Sequence, residues 1–138
     1  MISGINHVTF SVSQLERSFE FYREVLGFRA IARWRRGAYF LAGDAWIALI
    51  VDGEARPGPL PEYSHVAFTV ASEEFAAMSA RIHAVGAEIF QPNTSEGDSL
   101  YFLDPDGHKL EIHVTDLVAR IAAARAAPRD DFEILDEP

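Results

Sequence analysis

The chain repeats one short pattern in each of its halves, and a histidine begins both copies. Residues 6–12 read NHVTFSV and residues 64–70 read SHVAFTV, so that His7 and His65 occupy equivalent positions. After each histidine, apolar residues alternate with polar or small ones, which is typical of a strand buried on one face. A serine then begins an amphipathic helix in both copies, and a glycine follows each helix. The repeat predicts two equivalent strand–helix units, each led by one histidine.

Three further strand-like runs follow the helix in each half. In the first half these runs are Arg29 to Arg33, Ala38 to Leu41 and Trp46 to Val51. In the second half they are Ala87 to Gln91, Leu100 to Leu103 and Lys109 to Val114. Each half therefore predicts a βαβββ module, and the predicted fold class is α+β with two such modules.

The domain boundaries follow from the same pattern. Repeat 1 spans about residues 4–52 and repeat 2 about residues 62–115, with a linker rich in Gly and Pro between them. A C-terminal helix of about residues 116–127 completes a single domain over residues 1–128. Residues 129–138 are strongly acidic and predict a solvated tail.

Both predicted helices carry an apolar stripe at helical spacing, which predicts buried core. The stripe of the first helix, near residues 13–26, is Leu15, Phe19, Tyr22 and Leu26. The stripe of the second helix, near residues 72–85, is Phe75, Met78, Ile82 and Val85. Ser13 and Glu16 have the spacing of a capping box, so we expect Ser13 to cap the first helix.

Composition excludes several classes of function. The formal net charge of −9 at pH 7 argues against a nucleic-acid partner, because phosphates need a basic surface. The chain has no cysteine, so it has neither disulfides nor a thiolate of its own to act as ligand or nucleophile. No apolar run is long enough for a membrane span, and the N-terminus lacks the layout of a signal peptide. We therefore expect a cytoplasmic protein without a membrane partner.

A carboxylate in the second half completes a candidate metal site. Lining up the Tyr-Phe-Leu triplets at residues 39–41 and 101–103 puts Leu49 opposite Glu111, a carboxylate on an otherwise apolar strand. This alignment predicts that a symmetric site kept two histidines and one carboxylate and lost a fourth ligand. Two imidazoles and a carboxylate suit a divalent first-row metal and leave coordination positions open for substrate.

The predicted metal ligands are His7, His65 and Glu111, and the predicted site lies in the curved mixed sheet. The other three histidines are expected to have surface or satisfied roles. These are His83, on the polar face of the second helix, His108, after a turn, and His113, at a strand end.

At these residues the chain resembles the vicinal oxygen chelate superfamily, in which paired βαβββ modules form a glyoxalase/bleomycin-resistance-like fold around a metal. More narrowly, it is similar to the fosfomycin-resistance thiol transferases, especially the glutathione-using type. The matching stretches are GINH (residues 4–7), FEFY (19–22), Arg33-Trp34, GAY (37–39), YSH (63–65) and SEGDSLYFLDPDGHKLE (95–111). The SEGDS loop is the most specific of them.

The resemblance implies an activity and a set of site residues. His7, His65 and Glu111 would bind Mn²⁺, and the loop of Ser95, Glu96, Gly97 and Ser99 would hold K⁺. Thr9, Ser99, Tyr101 and Arg120 would bind the phosphonate of fosfomycin, and Trp46 and Tyr63 would form walls of the pocket. Tyr39 and Thr9 are the expected catalytic residues, with Tyr39 helping to activate glutathione. The family forms dimers whose sites combine modules of both chains, so a homodimer is expected.

One departure from the glutathione type bears on substrate affinity. Those proteins have a lysine shortly before the SEGDS loop and an arginine immediately before it, whereas residues 88–94 of this chain contain neither cation. Each lost cation removes a charge-assisted bond to an anion, so weaker binding of fosfomycin is predicted.

Two alternatives keep the same fold. The first is an enzyme with another thiol or substrate, such as a bacillithiol transferase or a glyoxalase-like enzyme. The second is a drug-binding protein of the bleomycin-resistance kind, which the intact set of His7, His65 and Glu111 disfavours. Metal analysis separates the binder from the enzymes, and product detection with each thiol separates the enzymes.

Overall fold

A computed structural model describes Met1 to Pro138 and contains two βαβββ modules followed by a helix. Module 1 consists of β1 (His7–Val12), α1 (Leu15–Glu20) continued by a π-helical turn (Phe21–Val25), β2 (Arg29–Trp34), β3 (Gly37–Ala42) and β4 (Ala45–Val51). Module 2 consists of β5 (Val66–Thr69), α2 (Ser72–Ala84), β6 (Ile89–Gln91), β7 (Ser99–Leu103) and β8 (Lys109–His113). The last helix is α3 (Leu117–Ala126). The predicted α+β class with paired modules is confirmed.

Each module forms one four-stranded mixed sheet, and the two sheets have the same topology. The strand orders are β1-β4-β3-β2 and β5-β8-β7-β6. The first strand of each module pairs in parallel with the last, and the remaining neighbours are antiparallel. A strand connected to a parallel neighbour needs a long crossover, which the intervening helix and strands supply. Equivalent residues of the two modules therefore occupy equivalent places in the two sheets.

The two modules share one hydrophobic core. Phe21 lies 6.4 Å from Phe102 between ring centroids, and Phe28 lies 5.0 Å from Phe68, so aromatic rings of module 1 pack on strands of module 2. The predicted stripe of the first helix is buried throughout. In the second helix, Val85 was predicted to be core but is 55% exposed, because it follows α2 as its C-cap residue and lies beyond the packed turns.

The turn between β7 and β8 attaches module 2 to module 1 through hydrogen bonds. Asp104 Oδ2 accepts a 2.8 Å bond from the Tyr22 hydroxyl, and burial raises the pKa of both groups. Asp106 Oδ1 accepts bonds from the backbone N–H and the hydroxyl of Ser13. The predicted capping box is therefore wrong. The N-cap of α1 is Gln14, without a side-chain cap, because Asp106 of the other module takes the Ser13 side chain.

The linker packs closely against this turn. Gly107 has a φ of +85°, and a Cβ placed on it would lie 2.5 Å from the Gly58 carbonyl carbon and 2.6 Å from the Pro59 nitrogen. Only glycine fits this approach of two backbones. The last part of the linker is thus held against module 2. Gly53, near its beginning, has no atom within 4 Å of where a Cβ would be.

α3 begins at a side-chain cap and contributes little to the core. Asp116 Oδ1 accepts a 2.9 Å bond from the Ala119 N–H, as expected for an N-cap aspartate. None of its residues is fully buried. None of the helices has the length and apolar character needed to span a bilayer.

The register of the strands corrects the alignment of the two halves. Leu41 pairs with Trp46, whereas Leu103 pairs with Lys109, so the second hairpin has one more residue in its turn. Tyr101 pairs with Glu111, and its equivalent Tyr39 pairs with Ala48. The counterpart of Glu111 is therefore Ala48 and not Leu49. A shift of one residue along a strand moves the side chain to the opposite face of the sheet.

Candidate metal and substrate site

His65 and Glu111 form a pair on the open face of the second sheet. The imidazole Nε2 of His65 lies 3.0 Å from Glu111 Oε2. The strand register brings them together. Ala67 of β5 pairs with Glu111, and His65, two residues before Ala67, points to the same face of the sheet. The apolar neighbours of Glu111, Leu110 and Ile112, point to the core on the other face. The strand alternation thus brings the half-buried imidazole of His65 and the buried carboxylate of Glu111 together on the face opposite the core.

The hydrogen bond at Nδ1 of His65 determines that Nε2 is the nitrogen available to bind a metal. Nδ1 lies 3.1 Å from the carbonyl oxygen of Tyr63, and a carbonyl only accepts, so Nδ1 carries the hydrogen in this bond. In the neutral ring, Nε2 then has a free lone pair directed at the carboxylate of Glu111. Two lone-pair donors that face each other at this distance suit a bound cation. Metal-binding histidines usually have this arrangement, in which the second nitrogen donates to a carbonyl or carboxylate.

His7 is oriented in the same way by a different partner. Its Nδ1 lies 2.7 Å from the side-chain oxygen of Asn6, which leaves Nε2 free. The amide orientation of Asn6 follows from this contact. Its ring lies 4.5 Å from that of Trp46 on the open face of the first sheet. Both histidines therefore leave Nε2 available as a metal ligand. The partner at Nδ1 is a side chain, Asn6, for His7 and a backbone carbonyl, that of Tyr63, for His65.

A single chain does not bring the three predicted ligands together. No group of three or more His, Cys, Asp or Glu side chains in the chain is close enough to hold a metal ion. His65 and Glu111 lie on the open face of one sheet and His7 on that of the other. The predicted ligand set is thus assembled by the fold only as a pair, and the membership of His7 stays a prediction.

Aromatic side chains surround His7. Tyr39 lies edge-on to Trp46 at 5.1 Å and to Trp34 at 4.8 Å between ring centroids. The Nε1–H of Trp46 is buried without a hydrogen-bond partner. Thr9 is exposed on the same face of β1 as His7. The predicted residues Trp46 and Tyr39 therefore lie beside His7, and Thr9 lies on the same strand face.

The predicted residues of module 2 cluster around Glu111. Ser99 donates its hydroxyl hydrogen to Glu111 Oε1 at 2.7 Å, and Tyr101 pairs with Glu111 across the hairpin. Burial raises the pKa of Tyr101, so this phenol is protonated at neutral pH and can donate to an anion. The Tyr63 ring lies 4.9 Å from that of His65. These side chains supply hydrogen-bond donors and an aromatic wall on one face.

The SEGDS loop is held from three sides. Asn93 accepts from the N–H and hydroxyl of Ser95 and donates to the Gly97 carbonyl at 2.8 Å. Gly97 has a φ of +74°, and a Cβ there would lie 2.4 Å from the Thr115 methyl group. Arg120, predicted to bind the phosphonate, instead has its Nε 3.0 Å from Glu96 Oε1. Binding of an anion by Arg120 would require this ion pair to open.

Some site residues were missed or assigned no role from the sequence. His113 is expected to be a surface or satisfied residue, and its ring is satisfied by bonds to Ser99 and Thr115, but its position 3.3 Å from Glu111 Oε1 was not predicted. Its position two residues after Glu111 on the same strand face was the available signal. Nothing in the sequence singles out Asn6 beyond its place next to His7. His108 is buried and bonded to the Ser11 carbonyl, and His83 is exposed.

Comparison with known proteins identifies the family. Residues 4–112 match the family model of the Glyoxalase/Bleomycin resistance protein/Dioxygenase superfamily. This chain belongs to that superfamily. Within the superfamily it is similar to the glutathione transferase FosA of Serratia marcescens, with 50% identity over 131 residues, which cover 93% of this chain and 92% of that protein.

The chain is also similar to other fosfomycin-resistance proteins of this superfamily. The metallothiol transferase FosB of Shouchella clausii is 34% identical over 142 residues, covering 99% of this chain and 97% of that protein. A solved structure of the fosfomycin resistance protein FosX of Listeria monocytogenes contains Mn(II) and 1S,2S-dihydroxypropylphosphonic acid. It has a TM-score of 0.76 and 30% identity, covering 88% of this chain and 99% of that chain. The chain is thus a superfamily member of the fosfomycin-resistance kind.

Proposed function

We propose that the protein is a metal-dependent thiol transferase that adds glutathione to the epoxide of fosfomycin. The observation that carries the proposal is the pair of His65 and Glu111, whose Nε2 and Oε2, both potential metal-ligand atoms, lie 3.0 Å apart in a partly buried position. The 50% identity to a glutathione transferase supports the choice of reaction and thiol. The absence of cysteine means that the nucleophilic sulfur comes from a cosubstrate.

His65, Glu111 and His7 would hold the divalent cation, for which we propose Mn²⁺. The donor set fits, because both histidines keep Nε2 free through bonds at Nδ1. When bound, such a cation supplies Lewis acidity at the epoxide oxygen, where negative charge develops as the ring opens. The FosX structure with Mn(II) supports this metal.

A second copy of the chain would supply the missing ligand. His7 lies on a different open face from His65 and Glu111, and both faces carry exposed apolar side chains beside them, including Ile5, Trp34 and Tyr63. Exposed apolar patches of this kind are typical of protein interfaces. We infer a homodimer in which the first sheet of one copy faces the second sheet of the other.

The remaining residues would bind and orient the two substrates. Tyr101, protonated because of its raised pKa, and Thr9 would donate hydrogen bonds to the phosphonate. Arg120 would pair with the same anion after leaving Glu96. Tyr39 would orient the thiol against Trp46, whose ring it meets edge-on at 5.1 Å between centroids. The thiol gives up its proton to solvent, its sulfur bonds to an epoxide carbon as the carbon–oxygen bond breaks, and the oxygen takes up a proton from solvent.

The loop of Ser95, Glu96, Gly97 and Ser99 would hold K⁺ beside the phosphonate. Glycine at position 97 allows the left-handed backbone that turns the loop, and Asn93 fixes its start. A monovalent cation here would add positive charge next to a dianion, in a protein whose formal net charge is −9.

The assay that tests the proposal follows fosfomycin with glutathione by mass spectrometry, with and without Mn²⁺ and K⁺. We expect a glutathione adduct that requires the divalent metal and forms faster with K⁺. The Glu111→Ala variant should form none, and the exposed-residue variant His83→Ala should match the unmodified protein. A lack of adduct with every thiol tried, in protein that has bound Mn²⁺, would exclude the transferase.

The same assay distinguishes glutathione from other possible nucleophiles, which are other thiols and water. The FosX structure holds a dihydroxypropylphosphonic acid, which is the epoxide with water added. The FosB relative is a metallothiol transferase. Reactions with bacillithiol, with cysteine and without thiol should therefore be run in parallel. A dominant diol product would replace thiol transfer with hydration as the function.

A further inference from the structure

His113 plays no part in the function proposed above, yet its ring joins two hydroxyl groups next to Glu111. Nδ1 bonds to the Ser99 hydroxyl and Nε2 bonds to the Thr115 hydroxyl. The side chain is only 13% exposed, although the residue ends a strand. A buried imidazole with hydroxyl groups at both nitrogens has a fixed orientation.

The directions of these bonds follow from donor counting. The carboxylate of Glu111 only accepts, so Ser99 must donate its single hydroxyl hydrogen to Oε1. The Ser99 oxygen must then accept from His113, which places the imidazole hydrogen on Nδ1. Nε2 is left as an acceptor for the Thr115 hydroxyl. The result is one directed chain from Thr115 through His113 and Ser99 to Glu111.

This chain selects the oxygen of Glu111 that is free. Oε1 is bound by Ser99, while Oε2 faces His65 at 3.0 Å. The other end of the chain touches the SEGDS loop, since the Thr115 methyl group occupies the space beside Gly97 and Val114 N–H bonds to the Asp98 carbonyl. The chain therefore connects the loop to the carboxylate.

We propose that His113 is a positioning residue that orients the carboxylate of Glu111 toward the metal centre and couples it to the SEGDS loop. The inference rests on the proposed function, because it assumes that His65 and Glu111 bind a divalent cation. Partners that hydrogen-bond to a metal-binding side chain commonly contribute about 10- to 100-fold to metal affinity.

The test is Mn²⁺ affinity, measured by titration of the full-length protein without substrate or K⁺. His113→Phe, which removes both ring nitrogens, and Ser99→Ala should each weaken Mn²⁺ binding about 10- to 100-fold. The double variant should be no weaker than the worse single variant, because both changes break the same chain. His113→Gln, whose amide can donate and accept, should restore part of the affinity. His83→Phe is the matched control and should leave affinity unchanged.

Two further measurements make the outcome decisive. Nitrogen NMR should place the His113 hydrogen on Nδ1 in the metal-free protein, and Thr115→Val should loosen this preference without a loss of folded protein. If His113→Phe unfolds the chain, the Mn²⁺ affinity of Ser99→Ala and the position of the His113 hydrogen in Thr115→Val carry the test instead. Mn²⁺ affinity within twofold of the unmodified protein in folded His113→Phe would overturn this inference alone. No Mn²⁺ binding by the unmodified protein would overturn the proposed function and this inference together.

Discussion

Single hydrogen bonds determine what the histidines can do. His7 and His65 have the same orientation, but a side chain holds the first and a backbone carbonyl holds the second. Position 6 is asparagine and the equivalent position 64 is serine, so the repeat differs just where the partners differ. We therefore expect Asn6 to matter for the orientation of His7, and Ser64 not to matter for that of His65.

We predict that Asn6→Ala lowers Mn²⁺ affinity by about 10- to 100-fold, because the imidazole of His7 loses the partner that keeps Nε2 free. Ser64→Ala is the matched control, since Ser64 makes no side-chain hydrogen bond to His65, and its affinity should not change. Both are read out by Mn²⁺ titration. Equal affinities for the two variants would show that the contact with Asn6 has no part in metal binding.

The predictability of the site also depends on single residues. His7 and His65 are found from the sequence because they repeat, and Glu111 because a carboxylate interrupts an apolar strand. The equivalent of Glu111 was assigned one residue wrongly, since the extra residue in the second turn does not show in the sequence of either half alone. His113 and Asn6 act through bonds to neighbours, which no periodicity encodes.

The corrected register gives a stability prediction. Leu49 is fully buried in the core, so Leu49→Ala should lower the free energy of unfolding by about 2–5 kcal/mol through the lost contacts and the cavity left behind. Leu60→Ala, at a linker position that is 40% exposed, should cost much less. Denaturant unfolding measures both. Similar losses in the two variants would contradict the core position of Leu49.

At the level of elements, the turn between β7 and β8 holds the modules together. Asp104 accepts from Tyr22 and from the backbone N–H groups of Asp106 and His108, and Asp106 accepts from Ser13 in the other module. The alternation of strands and the helical stripes was predictable from local periodicity. The loss of the Ser13 cap was not, because the competing carboxylate comes from the distant half of the chain.

The raised pKa of Asp104 predicts a pH dependence. Burial is the main cause and moves the pKa above its ordinary value of 3.8, while the positive charge of His108 works in the opposite direction. A folded state that binds the proton more tightly loses stability as the pH rises from 3.8 through the raised pKa. The free energy of unfolding should fall over this range in the unmodified protein and fall less in Asp104→Asn.

Unfolding by denaturant at a series of pH values measures this effect. Asp130→Asn in the exposed tail serves as the control for the loss of one carboxylate. If Asp104→Asn follows the pH profile of the unmodified protein, the carboxyl of Asp104 does not titrate in the folded state as expected.

For the whole molecule, the decisive feature is that the two open sheet faces are not brought together in one chain. The shared core lies between the modules, and the side chains of His7 and His65 lie on the outer faces. The strand patterns predict the equivalence of the modules, whereas a site divided between two chains is expected only from the resemblance to the family. Equivalence is a property of each strand pattern, whereas the relative placement depends on packing across the core.

The proposal that the site is shared between two copies makes a complementation prediction. His7→Ala and Glu111→Ala should each be inactive alone, but a mixed dimer contains one site with all three ligands. Random pairing then gives about one quarter of the unmodified activity after coexpression. Ligands that all came from one chain would give no recovery at any mixing ratio. Mixing His7→Ala with His7→Ala gives the baseline.

The unequal packing of the linker has a practical consequence for labelling the protein. Gly58 and Pro59 are pressed against Gly107, so a peptide inserted there would push the β7–β8 turn out of place. Gly53 borders open space, so an insertion after it displaces only the local turn in which Asp52 accepts from the N–H groups of Glu54 and Ala55. A short epitope placed after Gly53 would therefore label the protein while leaving the β7–β8 turn and both modules in their native positions.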